Sequence, residues 1–548
     1  MKTLDQAYQE FNYQALIEQQ LVGSEQSINA YVECCARYLG TAQTALLWEG
    51  KNGESQQWSF EQLAQASGKL ANYFQSIGLK AGDCIAGLLP RTPELLITVL
   101  ATWRIGAVYQ PLFTAFESKS IEHRIDTANT QMIVSNAEQV QKLNGIHCPH
   151  QLVVCPDRAN AATQVDFWAE LDKQSADFEA VMRSFEDPFL MMFTSGTTGL
   201  AKSVPVKLKA ILAFKGYMTH AVDLHADDSF WNLADPGWAY GLYYGITGPL
   251  SLGHSIIMDE TGFSVDRAIE IMQKHKVNNL IGSPTAYRMF FAYKEKFDQQ
   301  LKQQLRVVSS AGEPLTPEVI HWFKQDFNVN IFDHYGQTEL GMVIANHHAL
   351  AHHKKVGSAG FAIPGHRFCV LDEQHQVLPQ GGIGTLAIDC SASPMFWFEG
   401  YDGNNRKSFV GQYYITGDTV KLNEFGAIDF VGRADDVITT SGYRVGPFDV
   451  ESTLLECNEV IESAVIGKPD PERTEIVKAF VVLKNHVVAS EALQKQLQAY
   501  VRSRLSKHAY PREIEFVAAL PKTSSGKIQR NILKQQEITK LEALSKAS

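Results

Sequence analysis

The chain has no run of apolar residues near the ~20 needed to span a bilayer, so integral membrane association is not expected. Its first residues, Met1-Lys-Thr-Leu-Asp-Gln6, lack the apolar stretch of a secretory signal, and a soluble, cytoplasmic protein is expected. Cysteine is sparse and unpatterned. Its eight copies, at 34, 35, 84, 148, 155, 369, 390 and 457, include no C-x-x-C pair, which argues against a disulfide framework or a zinc site and leaves free buried thiols. Positive charge is in deficit: 49 Lys and Arg against 60 Asp and Glu give a formal net charge of −11. No surplus of cations exists to neutralise a nucleic-acid backbone, although a local basic site for a small anion is allowed. Internal repeats and low-complexity tracts are absent as well.

What is present is ordinary for a globular protein, with 45% hydrophobic and 20% charged residues. At 548 residues the chain exceeds a single core, and two or more domains are expected. His347, His348, His352 and His353 form a local cluster that a helix would gather on one side. No cysteine or carboxylate joins them at ligand spacing, so a polar loop or helix face is the expectation rather than a metal centre.

Period and punctuation point to alternating elements. Ser59-Phe-Glu-Gln62 reads as a capping box opening a helix with Leu63, Ala66, Leu70, Phe74 and Ile77 on one face, stopped at Gly78. A buried strand follows from Cys84 to Leu89. Thr92-Pro93-Glu94 offers an N-cap, a first-turn proline and a dipole-matched acid for the next helix. A strand at 107–109, a helix near 118–128 and a strand at 132–134 continue the alternation, which resumes at 255–258, 265–275, 280–281 and 306–309. This is the pattern of an α/β protein with a parallel-rich sheet flanked by helices. After residue 433 the texture changes to short strands at 464–466, 477–483 and 514–517. One amphipathic helix there places Leu493, Leu497, Tyr500, Val501 and Leu505 on one face. That length suits a small α+β domain, dividing the chain into 1–433 and 434–548.

Residues 191–202, Met-Met-Phe-Thr-Ser-Gly-Thr-Thr-Gly-Leu-Ala-Lys, read as a loop that wraps polyphosphate. Gly196 and Gly199 let backbone N–H groups approach an anion, Thr194, Ser195, Thr197 and Thr198 add donors, and Lys202 adds charge. It is not a Walker loop, because Ala201 precedes the lysine and Ser203-Val-Pro-Val206 reads as a strand, so the loop should join two strands.

Downstream stand Ser310-Ala-Gly-Glu313-Pro, Asp333-His-Tyr-Gly-Gln-Thr-Glu339, Tyr414-Ile-Thr-Gly-Asp418, Gly432-Arg-Ala-Asp-Asp436 and Ser441-Gly-Tyr-Arg444, and near the end Pro521-Lys-Thr-Ser-Ser-Gly-Lys527. In this order, over roughly residues 40–530, the segments resemble the superfamily of adenylate-forming enzymes, which holds acyl-CoA synthetases, carrier-protein adenylation domains and luciferases. The chain looks most like the short- and medium-chain acyl-CoA synthetases. It departs from the usual pattern at Ala201, where proline is common, and at Ser203, where glycine is.

The resemblance implies ATP, CoA and Mg²⁺ as ligands and assigns roles. Residues 194–202 would hold the β- and γ-phosphates and Glu339 would help place Mg²⁺. Gly312, Glu313, Pro314, Asp333, His334, Tyr335, Gly336, Gln337 and Thr338 would frame adenine and the α-phosphate. Asp418 would accept from both ribose hydroxyls, Arg433 would bind ribose or phosphate, and Arg444 the phosphates. Lys527 would bridge the attacking carboxylate and the α-phosphate. The small domain would be mobile, hinged at Asp435. Ser441, Gly442 and Tyr443 would line a pantetheine tunnel, with Arg473, Arg502 and Tyr510 on the CoA nucleotide. In acetate-specific relatives a tryptophan blocks the acyl pocket where Gly336 stands here. With Trp238, Ala239, Tyr240 and Ala311 as further walls, a medium-chain, branched or aryl acid larger than acetate is expected. Acylation of Lys527 by a lysine acyltransferase would silence adenylation by removing its charge. Two rival readings are an adenylation enzyme that loads a carrier-protein phosphopantetheine and a catalytically inactive acyl- or nucleotide-binding protein.

Overall fold

The computed structural model describes residues 1–155, 165–194, 201–301, 303–313, 315, 317–401, 405–434, 436–440, 443–470, 473–485, 487–505, 509–523 and 527–547. Of 299, 300, 439, 443, 444 and 542–547 only the backbone is described. Among these residues no helix is long and apolar enough to cross a membrane.

The capping box forms as read. Ser59 Oγ accepts from Gln62 N and Gln62 Oε1 from Ser59 N at the head of helix Phe60–Ser76. Thr92 occupies the N-cap of Pro93–Arg104 without a side-chain cap bond; here the first-turn proline and the buried face carry the helix. These helices pack on a six-stranded sheet in the order His150–Val154, Thr130–Asn136, Cys84–Leu88, Val108–Pro111, Pro188–Thr194, Lys202–Lys207. Every neighbouring pair is parallel except the last. That antiparallel pair sets Thr194 opposite Lys202, so the glycine-rich loop does join two strands.

A second, eleven-stranded sheet begins with four parallel strands, Phe230–Asn232, Asn279–Gly282, Val307–Ala311 and Ile331–Gln337. It continues through antiparallel neighbours that include Gly341–Ala345, Ser358–Ala362, Ile428–Arg433 and Tyr413–Leu422. Helices such as Val265–Lys274 and Pro317–Asp326 cover the parallel part. The α/β expectation therefore holds for this large region, with an antiparallel extension that strand-by-strand reading does not foresee.

From residue 438 onward the strands form their own five-stranded sheet, and helix Glu491–Arg504 buries Leu493, Leu497 and Val501 against it. Leu505 does not belong to that buried face: it follows the helix end and is 39% exposed. The four clustered histidines form no helix and lie in loop residues. They flank the short strand Leu350–Ala351, and His347 is buried. Ring nitrogens of His347, His348 and His352 bond the carbonyls of Ala362, Val308 and His353.

Candidate active site

The carboxyl ends of parallel strands gather the motif residues, as expected for an α/β sheet. Val307–Ala311 leads into Gly312, whose φ of +104° suits glycine, and its neighbour Ile331–Gln337 sets Ala311 opposite His334. Arg288 NH2 donates to Glu313 Oε2 at 3.2 Å.

Strand alternation sorts the 333–337 segment into two faces. Tyr335 and Gln337 turn toward Asp418: the tyrosine hydroxyl donates to its Oδ2, as does Gln337 Nε2 at 2.9 Å. Gln337 Nε2 also reaches Thr416 O at 2.9 Å, and its Oε1 accepts from Tyr414 OH at 3.1 Å. Arg433 stands directly across the antiparallel ladder from Asp418, and its NH1 donates to Asp418 Oδ1 at 3.1 Å. This is a cross-strand charge pair set by register. Burial raises the Asp418 carboxyl above its ordinary range, and Arg433 opposes that rise.

His334 turns the other way. Its Nδ1 pairs with Tyr217 OH at 2.8 Å, and Tyr217 OH meets Tyr240 OH at 3.0 Å. Burial lowers the imidazole to about 3, so it stays neutral and works as a hydrogen-bonding group. Asp333 also lies in this strand; burial raises its carboxyl well above the ordinary value, while Oδ2 accepts from Leu315 N at 3.3 Å. Thr338 O accepts from Tyr243 OH at 2.9 Å.

Glu339 is buried, at 8% exposed, and accepts from Tyr401 OH at 2.5 Å. Among the described residues it has no ion-pair partner, and burial raises its carboxyl. A buried carboxylate without a cation beside it fits a divalent ion completed by phosphate oxygens. No cluster of three His, Cys, Asp or Glu able to hold a metal occurs among the described residues. Tyr401 ties this carboxylate to Lys202, whose Nζ lies 4.9 Å from its ring centroid. No periodicity links Tyr401 with Glu339 or Lys202, so sequence reasoning missed it.

One expectation about the acyl pocket needs correction. At Gly336 a Cβ would meet Gly341 O at 2.1 Å and Met342 Cα at 2.7 Å. Backbone fills the direction in which an indole was imagined, and the glycine is required by the irregular pairing at Tyr335/Gly336. Trp238 packs on Phe113 and Phe116 at 5.6 and 5.5 Å, whereas Tyr240 joins Tyr217 and Tyr244. Ala239 begins the short helix Ala239–Leu242, which includes Tyr240, and Ala311 is buried.

In the C-terminal part Lys527 is exposed. Its backbone N–H donates to Thr523 Oγ1 at 3.1 Å, and its carbonyl accepts from Thr523 N at 2.8 Å. Its ammonium has no partner among the described residues. Arg502 lies 5.6 Å from the Tyr510 ring, and Arg512, absent from the expected set, lies 5.2 Å from it. Arg473 sits in the turn before Thr474–Leu483, its N–H on Asp470 Oδ1 at 2.9 Å. Arg530 donates to Glu451 at 2.6 and 3.0 Å. Ser195, Gly196, Thr197, Thr198, Gly199, Pro314, Asp435, Ser441 and Gly442 lie outside the described residues, as do the side chains of Tyr443 and Arg444.

Comparison with known proteins follows the same outline. A family model described as AMP-binding enzyme matches residues 36–401, and its C-terminal domain model matches 449–527. The mitochondrial acyl-coenzyme A synthetase ACSM4 of Rattus norvegicus is 34% identical over 514 residues, 90% of this chain and 87% of that one. The acetyl-coenzyme A synthetase of Bacillus subtilis is 33% identical over 549 residues, 98% of this chain and 96% of that one. A crystal structure of a Brucella canis acyl-CoA synthetase superposes with a TM-score of 0.80 at 48% identity, covering 99% of this chain and all of that one.

Proposed function

The chain belongs to the AMP-binding enzyme family, and from that premise we propose that it is an AMP-forming acid–thiol ligase, an acyl-CoA synthetase. A carboxylate oxygen attacks the α-phosphorus of ATP and the bond to pyrophosphate breaks, giving an acyl-adenylate. The CoA thiolate then attacks the acyl carbon and AMP leaves. The observation that carries this reading is the buried Asp418 held by Arg433, Tyr335 and Gln337. A carboxylate with two oriented oxygens suits a vicinal diol such as ribose.

In this reading Lys202 and residues 194–199 hold the β- and γ-phosphates, and Gly312 to Pro314 with Asp333 to Thr338 frame the base and α-phosphate. Arg433 and Arg444 face ribose and phosphate. Glu339 would hold Mg²⁺, which when bound neutralises charge on the phosphate oxygens. Lys527, a compact charge on a flexible stem, bridges the incoming carboxylate and the α-phosphate during adenylation. Residues 434–548 form a separate domain that turns about Asp435 to withdraw it. Ser441, Gly442 and Tyr443 then line the path of the pantetheine arm, with Arg473, Arg502 and Tyr510 on the CoA nucleotide. Acylation of Lys527 by a lysine acyltransferase stops the first step and spares the second.

The acid is larger than acetate. With Gly336 assigned to the backbone, this rests on the short side chains of Ala239 and Ala311. Pyrophosphate release measured with CoA across C2 to C10 and aryl acids tests both claims. Hexanoate or benzoate outpacing acetate supports the size assignment, and equal rates overturn it. Thioester appearing only on a carrier-protein phosphopantetheine, never on free CoA, would favour the loading enzyme instead.

A further inference from the structure

One turn of helix Ser118–Ala128 touches both stems of the phosphate loop. His123 Nε2 lies 2.8 Å from Ala201 O, the carbonyl immediately before Lys202. A carbonyl only accepts, so Nε2 carries the proton, in the neutral tautomer or the imidazolium alike. The same imidazole stands edge-on to Phe193 at 6.5 Å, and the next residue, Arg124, places its guanidinium 5.6 Å from that ring and 4.1 Å from Phe116. Phe193 immediately precedes Thr194, the ladder partner of Lys202. Arg124 is 7% exposed and donates to Ser120 O and Oγ, with no carboxylate partner among the described residues. The helix therefore grips the incoming stem through an aromatic ring and the outgoing stem through a hydrogen bond.

We propose that His123 is a positioning residue for ATP, holding the Ala201 peptide so that Lys202 meets the β- and γ-phosphates. A trans peptide points its N–H opposite to its carbonyl, so fixing the Ala201 carbonyl fixes the Lys202 N–H and the start of the lysine side chain. This rests on the reading of Lys202 as a phosphate ligand. It separates the two half-reactions, because thioester formation from preformed acyl-adenylate involves no β- or γ-phosphate.

The test compares His123→Phe, which keeps a ring beside Phe193 and removes the donor, with His123→Gln, whose amide restores one. Binding of ATP with Mg²⁺ is read by calorimetry, and carboxylate-dependent pyrophosphate exchange and thioester formation from preformed acyl-adenylate are read separately. H123F is expected to weaken ATP binding and raise the KM for ATP about tenfold, the scale of one lost positioning hydrogen bond. The KM for the acid and the thioester step stay within about twofold, and H123Q recovers most of the loss. Unchanged ATP affinity in H123F overturns the proposal, and so does a parallel loss of the thioester step, which marks a merely structural role. A wild-type chain that binds ATP yet exchanges no pyrophosphate with any acid overturns the ligase reading instead, and the ATP affinities of the variants still judge the clamp.

Discussion

The neighbourhoods of Asp418 and of Lys527 are built on opposite plans. Around Asp418 a cross-strand arginine, a tyrosine hydroxyl and a glutamine amide already converge on one buried carboxylate. Around Lys527 the backbone is closed on Thr523 while the ammonium stands in solvent. A binding pocket gains from groups fixed before the ligand arrives, because no reorganisation remains to be done. In the proposed reading Lys527 serves one half-reaction and leaves for the other, and it gains from having no partner to give up.

Replacing Lys527 by alanine tests that contrast most severely. Carboxylate-dependent pyrophosphate exchange should fall on the order of 100-fold or more, the scale of one lost transition-state charge contact, while thioester formation from preformed acyl-adenylate persists and the melting temperature hardly moves. Equal losses in both steps would erase the distinction between the two regions. Asp418→Ala, unlike the lysine variant, should cost stability as well as nucleotide binding. It leaves Tyr335 and Gln337 without their acceptor, worth about 1–3 kcal/mol in urea unfolding. The Arg433 side chain is 40% exposed, so solvent screens its share.

Gly336→Ala should destabilise by about 1–3 kcal/mol as overpacking against the 341–342 backbone, leaving the acid preference unaltered. A shift toward acetate without destabilisation would return the residue to the acyl pocket. The mildest effect concerns pH. Burial lowers His334 to about 3 and both His220 and His366 to about 4. Their folded values lie below the ordinary 6.5, so the unfolded chain takes up protons first as the pH drops. Their contribution is intact above pH 6.5 and is lost as the pH falls from 6.5 to about 4 for His220 and His366 and to about 3 for His334, on the order of 0.5 kcal/mol per histidine from pH 7 to 6. All eight tryptophans precede residue 398, so fluorescence in urea follows the large region alone. A flat midpoint across that range would contradict the assignment of these histidines as buried and neutral.

Helix Phe60–Ser76, the parallel strands beginning at Cys84 and Val108, and the strand–loop–strand around Lys202 were all legible from spacing, because capping and alternation are local rules. Asp418 and Arg433 were each legible as motif members, but their pairing was not, since it depends on the register of Tyr413–Leu422 against Ile428–Arg433. Gly336 misled for the same reason. A glycine in a motif looks like a missing side chain until the facing backbone is seen 2.1 Å from its would-be Cβ. The histidines at 347–353 misled because adjacency in the chain suggested a shared surface, whereas His347 and His348 bond carbonyls of separate strands.

Residue order settled the α/β class, the strand–loop–strand setting of the glycine-rich segment before Lys202 and the inventory of charged groups, for each of these is written within a few consecutive positions. Strand order, register and packing settled which groups meet: Tyr401 with Glu339 and Lys202, His123 with Ala201, Tyr217 with His334. Those partners come from distant parts of the chain. No local rule ties such partners together, and they are joined only when burial of the apolar faces brings their strands and helices into contact.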